Sequence, residues 1–259
     1  MDPATIALAL LSGALIGFVL GLVGGGGSIV AVPLLVYVVG VESAHAAIGT
    51  AAVAVALNAA TGLAGHARNR NVKWPCALTF GGAGVLGAAI GAEIGKAVDG
   101  QALLAAFGGL MVVVGALMLR GRKTGGNPDV RLNTESARHL LPRLAAYGLG
   151  VGLLAGFFGI GGGFLIVPGM IAATAMPIGM AIGSSLVVVT ALGATTAASY
   201  ALSGYVDWVL VAWLVAGGAM GSAIGLLLGK RLASRKKLLE RGFAAVVIGV
   251  GLFVVYSSL

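Results

Sequence analysis

Two stretches decide the fold. One is Gly21-Leu22-Val23-Gly24-Gly25-Gly26-Gly27-Ser28, followed by Val32-Pro33; the other is Gly156-Phe157-Phe158-Gly159-Ile160-Gly161-Gly162-Gly163, followed by Val167-Pro168. Each sets a glycine run between a long and a short apolar segment. The segments cover about 4–23 and 28–40 in the first case, and 144–158 and 163–175 in the second. Glycine loses the most backbone freedom on ordering, so such a run breaks a helix. A 13-residue arm rising 1.5 Å per residue reaches only about 20 Å, short of the ~30 Å hydrocarbon layer of a bilayer. The turns Gly24–Ser28 and Gly159–Gly163 are therefore expected within the depth of a membrane. Broken backbone survives there only where it lines a wet cavity or is buried in protein.

Working outward, the composition makes the bilayer the only consistent solvent. Of the 259 residues 59% are hydrophobic and only 9% are charged, against about 25% charged in a soluble protein. Mean hydropathy is +1.05. This excludes a soluble enzyme, a disordered chain and a disulfide scaffold, since Cys76 is the single cysteine. Further apolar helices are expected over about 46–65, 75–95, 101–119, 178–201, 208–229 and 242–257. The start, Met1-Asp2-Pro3, lacks the basic region of a signal peptide, so the first span is expected to be retained.

The chain also repeats itself. Beyond the glycine turns, at an offset of 135, Ala47-Ile48-Gly49-Thr50 matches Ala181-Ile182-Gly183-Ser184 at 134. Val72, Trp74, Gly87, Ile90, Gly91, Gly95 and Lys96 meet Val206, Trp208, Gly221, Ile224, Gly225, Gly229 and Lys230 at the same offset. A constant offset over this length signals duplication. The expected organisation is a first repeat at 1–119, a cytoplasmic linker at 120–143 and a second repeat at 144–259.

Charge orients the halves. The loop His66–Lys73 holds Arg68, Arg70 and Lys73, whereas its counterpart near 199–207 holds only Asp207. The loop after Gly95 carries Lys96 and Asp99, which cancel; its counterpart, 230–241, is strongly basic. Equivalent loops thus alternate in charge. The positive-inside rule places 66–73, 120–143 and 230–241 in the cytoplasm and the other loops outside. The net charge of +8 is absorbed by this topology, so no nucleic-acid partner is expected. The fold expected is an all-α integral membrane protein of two inverted repeats, each a glycine-broken hairpin plus three spanning helices. Both termini fall outside. Parallel halves with one long helix replacing each hairpin are the alternative.

Interrupted segments at matching places in inverted halves point to a transporter's binding site. Helix starts just after the glycines would turn free N–H groups and positive dipole ends toward a ligand, which favours an anion. The bland alternative is that the glycines only let helices pack closely. That reading suits Gly13, Gly17 and Gly21 with Gly148, Gly152 and Gly156, and the sets Gly87/Gly91/Gly95 and Gly221/Gly225/Gly229.

Two G-x-x-G-x-G-G…V-P hairpins, each followed by I-G-[TS] and then a helix ending before V-x-W, resemble the TauE/SafE family of sulfite and organosulfonate exporters. The resemblance spans essentially the whole chain. His66-Ala-Arg68 with Asn71-Val-Lys73-Trp74, and Gly204-Tyr-Val-Asp207-Trp208, resemble that family's repeated loop signature. Lys73 departs from it, standing where an acidic residue is common, and so does Asn69-Arg70, where Arg-Gly is expected. The resemblance implies export of a small sulfur oxyanion.

The candidate substrate-binding residues are Gly24, Gly25, Gly26, Gly27, Ser28, Thr50, Asn58, Gly159, Gly161, Gly162, Gly163, Ser184 and Ser185. The hydroxyls can donate to an oxyanion, or instead bond back to the helix carbonyl one turn earlier. Asn58 lies mid-helix, where an amide is expensive unless it meets a ligand or a neighbouring helix. His66 and Arg68, at a cavity mouth, would gather anions, or serve only as interfacial topology charges. Glu93 is the one acid well inside an expected helix; it would carry a coupling proton, or simply pair with Lys96. His45 is expected to be solvated in the outer loop, and Trp74 and Trp208 to anchor at the interfaces. No histidine pair has metal-ligand spacing and no hydrolase or dinucleotide motif is present, so neither metal, cofactor nor enzyme activity is expected. The reading is a secondary exporter in the cell membrane that moves a small anion by alternating access. An anion channel or uniporter, or a transporter of another organic anion such as a carboxylate, is the alternative. Assembly as a homo-oligomer is left open.

Overall fold

The computed structural model describes residues 2–23, 25–69, 71–119, 134–159, 163–231 and 236–258. Among them every regular element is helical. Helix α1 (Pro3–Val23) ends at the first glycine run. A short arm follows, made of 3-10 turns over Gly25–Val30, one α turn, α2 (Ala31–Pro33), and a π-helical stretch, Leu34–Val39. Then come α3 (Ala44–Arg68), α4 (Trp74–Lys96), α5 (Gly100–Leu119), α6 (Thr134–Phe157), α7 (Gly163–Thr174), α8 (Ile178–Leu202), α9 (Trp208–Arg231) and α10 (Lys236–Ser258). Seven of these are long and apolar enough to cross a membrane, α1, α3, α4, α5, α6, α8 and α9. The 12 residues of α7 reach about 18 Å, less than a bilayer core.

Three elements differ from expectation. The first short arm is expected as a regular helix and instead changes pitch twice, because its opening glycines supply little helix propensity. Helix α6 begins at Thr134, not near 144, so the end of the expected linker is helical. Arg138, His139 and Arg143 are exposed there; hydropathy finds the apolar part of a helix, while a solvated helix continues past it. Helix α10 likewise starts at Lys236, before its apolar part, Ala244–Ser258.

The spanning helices pair through backbone-close glycine seams. A β-carbon at Gly13, Gly17 or Gly21 of α1 would stand 2.2, 2.0 or 2.5 Å from the carbonyl oxygens of Leu214, Gly218 and Ser222 of α9. Correspondingly, β-carbons at Gly148, Gly152 and Gly156 of α6 would stand 2.3, 2.1 and 2.1 Å from the carbonyls of Phe80, Gly84 and Ala88 of α4. Only glycine permits such approach, and close van der Waals packing is what holds helices together where lipid is as apolar as the protein. Each long hairpin arm therefore packs on a helix of the opposite half, in parallel register.

Corresponding helices run in opposite directions. Gly62 of α3 meets Leu186 of α8, while Gly193 of α8 meets Ala56 and Ala52. Gly108 of α5 meets Gly251 and Val255 of α10, while Gly115 meets Ile248 and Ala244. Helix α3 runs parallel to α9, with Gly49 at Tyr205 and Asn58 at Gly218. Helices α1 and α3 thus point the same way, and the short arm Gly25–Val39 carries the chain back between them.

Candidate functional site

The segments that follow the two glycine runs, Gly25–Val30 and α7, pack against one another inside the bundle. Gly26, Gly27 and Ser28 are buried, Ser28 completely. A β-carbon at Gly27 would stand 2.5 Å from the Ile16 carbonyl oxygen, so the arm leaves the turn tight against α1. Gly24 lies outside the described residues, as do Gly161 and Gly162. Gly159 adopts φ +66°, and its N–H donates to the Gly156 carbonyl at 3.0 Å. A side chain there would be strained and would overlap the Ile48 Cγ2 atom, 1.8 Å away. Gly159 therefore lies on the start of α3. Helix α7 opens at buried Gly163 and packs against Gly25–Val30, which also touches α3 and α8. The structure brings Gly26, Gly27, Ser28, Gly159 and Gly163 into one buried region.

The hydroxyls have protein partners. The Asp207 N–H donates to Thr50 Oγ1 at 3.1 Å, and the Lys73 N–H donates to Ser184 Oγ at 2.8 Å. Ser185 Oγ donates to the Ile182 carbonyl at 2.7 Å, the local back-bond that competes with a ligand role. Thr50, Ser184 and Ser185 are all completely buried.

Asn58 stands apart. It is completely buried, and neither its Nδ2 nor its Oδ1 has a hydrogen-bond partner. Its amide fills the space that a β-carbon on Gly218 would need, 2.0 Å from Nδ2. At the matching place in the other half, Leu192 covers Gly84, with Cδ1 2.9 Å from such a β-carbon. One half thus holds an amide where the other holds a hydrocarbon.

The remaining candidates sit at the periphery. His66 is half-buried and Arg68 exposed at the end of α3. Glu93 is exposed; its Oε1 pairs with Lys96 Nζ at 2.8 Å and accepts from Ser199 Oγ at 2.8 Å. Trp74 and Trp208 are exposed. His45 is not solvated as expected: it is half-buried, its Nδ1 is enclosed without a partner, and its ring lies 5.5 Å from Tyr205 and 6.3 Å from Tyr200. Sequence reasoning missed the buried, unpartnered hydroxyls of Ser12 and Tyr200; for Tyr200 the repeat offered a signal, since it is the counterpart of His66. The departure at Lys73 has a local explanation. Asp207 caps α9 by accepting from the Val209 and Leu210 N–H groups, each at 3.0 Å. Lysine cannot do this, but the counterpart of Val209 is Pro75, which has no N–H to cap.

Hollows on the described surface include two away from the glycine turns. One, of about 360 Å³, is lined by Tyr37, Glu42, His45, Asp99 and Gln101, among others. The other is a groove of about 350 Å³ along α6 at Tyr147, Val151 and Leu154. Neither is lined by the glycine turns. No group of three metal-ligating side chains occurs among the described residues.

Comparison with known proteins agrees with this architecture. The family described as Sulfite exporter TauE/SafE matches residues 9–254. A "Probable membrane transporter protein" of Xylella fastidiosa is 46% identical over 258 residues, covering 100% of this chain and 98% of the relative. The "Probable membrane transporter protein YunE" of Bacillus subtilis is 25% identical over 262 residues, covering 95% and 96% of the two chains. A "Probable membrane transporter protein" of Haemophilus influenzae is 29% identical over 208 residues, covering 77% and 75%. No solved structure matches the chain. With its spanning helices, broken arms and full-length relatives together, the chain is a multi-pass membrane transporter and belongs to the TauE/SafE family.

Proposed function

We propose that this transporter exports a small sulfur oxyanion, sulfite or an organosulfonate, across the cell membrane by alternating access between two halves inverted through the membrane plane. The loops 66–73 and 230–241 face the cytoplasm in this reading, and both termini face outside. The opposed directions of α3 and α8, and of α5 and α10, support the inversion. The observation that carries the anion reading is the burial of α7's first turn against Gly25–Val30. The first N–H groups of a helix have no intrahelical partner and sit at its positive end. The surroundings suit an oxyanion as well: among the described residues each buried polar side chain is a hydroxyl or an amide, and none is charged. A neutral donor lining offers hydrogen bonds without a fixed carboxylate to repel the ligand.

The anion sits between the two turns in this proposal, held by backbone N–H groups of Gly24–Gly27 and Gly161–Gly163, with Gly159 shaping the second turn and Ser28 and Asn58 adding side-chain donors. The description of the family as sulfite exporters supports the substrate class. Purified protein screened by thermal shift against sulfite, sulfate, thiosulfate, sulfoacetate and carboxylates tests it, since a ligand of the native state raises apparent stability. Reconstituted protein should show saturable sulfite flux with counter-transport, and flux without counter-transport would indicate a channel instead. Sulfite flux unchanged after replacing Gly26 and Gly161 together with bulky residues would end the site assignment.

A further inference from the structure

Thr50 and Ser184 do matching work at opposite ends of the bundle. Thr50, near the start of α3, accepts from the Asp207 N–H in the loop before α9 (3.1 Å). Ser184, near the start of α8, accepts from the Lys73 N–H in the loop before α4 (2.8 Å). Each bond joins one half of the chain to the other. The surroundings repeat in detail. A β-carbon at Gly49 would stand 2.5 Å from the Tyr205 carbonyl oxygen, and one at Gly183 would stand 2.3 Å from that of Asn71. Both loops are held in shape the same way, by the Tyr205 N–H donating to the Tyr200 main-chain carbonyl (3.0 Å) and the Asn71 N–H donating to the His66 main-chain carbonyl (3.2 Å). Because α3 and α8 are antiparallel, the two contacts lie toward opposite faces.

We propose that these contacts are the two gates of the transport cycle: Gly49-Thr50 against Tyr205–Asp207 closes one face, and Gly183-Ser184 against Asn71–Lys73 closes the other. Both contacts are made in this structure, so each loop is closed on its facing helix start. Opening toward one face breaks one gate and keeps its counterpart. The hydroxyls do this at low cost because each contact is a single neutral hydrogen bond seated on a glycine, easily made and released. The glycine sets how close the loop can come, and the hydroxyl accepts from the loop's N–H. The inference rests on the alternating-access reading but not on which anion is carried.

The test uses the full-length protein in sealed vesicles of known orientation, with Cys76 replaced by serine. A single reporter cysteine is placed one helical turn below each gate, at Ala54→Cys or Val188→Cys, both sites being completely buried. Labelling by a membrane-impermeant maleimide is timed from each side. Thr50→Val should speed labelling of the Ala54→Cys reporter from one face about threefold to tenfold, the weight of one hydrogen bond, and leave the Val188→Cys reporter unchanged. Ser184→Ala should do the reverse from the other face. Gly49→Ala and Gly183→Ala, which push the loops away sterically, should give the same pattern, and Thr50→Ser should restore slow labelling. Faster labelling of both reporters by either gate variant, or of neither by any of the four, would overturn the proposal. Gates behaving as described in a protein that moves no sulfite would refute the substrate and leave the gates standing.

Discussion

Replacing Asn58 by leucine should make the protein more stable and less active. The amide is completely buried with both polar atoms unpartnered. Leaving a buried donor or acceptor unsatisfied costs about 1–3 kcal/mol, so removing two relieves about 2–6 kcal/mol. Leucine keeps the branched outline but is bulkier, and overpacking returns about 1–3 kcal/mol of that. The other half shows that the geometry accepts it, because Leu192 occupies the matching position over Gly84. The net expectation is a gain of about 1–3 kcal/mol, a rise in Tm of about 2–12 °C for a chain of this size. The assay is thermal unfolding in detergent beside sulfite flux in liposomes, with Asn58→Asp as a polar control that should lower Tm. Flux should fall at least tenfold, because the proposed site gives the orphaned amide to the ligand. A lower or unchanged Tm would refute the accounting of the orphaned atoms; unchanged flux would refute a ligand role for Asn58.

Two further outcomes follow from the packing and the charge pairs. Gly17→Ala and Gly152→Ala, whose β-carbons would stand 2.0 and 2.1 Å from facing carbonyl oxygens, should each cost about 3 kcal/mol by forcing a helix pair apart. Gly82→Ala and Gly150→Ala, with nothing within 4 Å, should gain up to about 1 kcal/mol from helix propensity; equal effects at all four sites, read as Tm, would contradict the seams. Glu93→Gln should leave the pH profile of anion flux unaltered, since the carboxylate is exposed and paired with Lys96. A flattened profile would instead make Glu93 the carrier of a coupling proton.

Some of this architecture is legible in one dimension. The bilayer as solvent follows from 9% charge, and the places where helices break follow from the glycine runs, because both are properties of a segment alone. The duplication is legible because both copies kept their glycines and their I-G-[TS] starts. Glycine spacing also marks the contact faces: Gly13/Gly17/Gly21 and Gly148/Gly152/Gly156 do line seams. Their partners are another matter. Nothing in α1 names α9, and in lipid no polar stripe marks the outer face; Leu11, Leu78, Leu86 and Ile90 are exposed and as apolar as the core. Pairing depends on complementarity between two surfaces far apart in the chain, so only the folded bundle decides it. The roles of Thr50 and Ser184 were decided the same way, by which loop N–H arrived beside each hydroxyl, and Asn58 became an orphan only because α9 brought a glycine, and no donor or acceptor, against it.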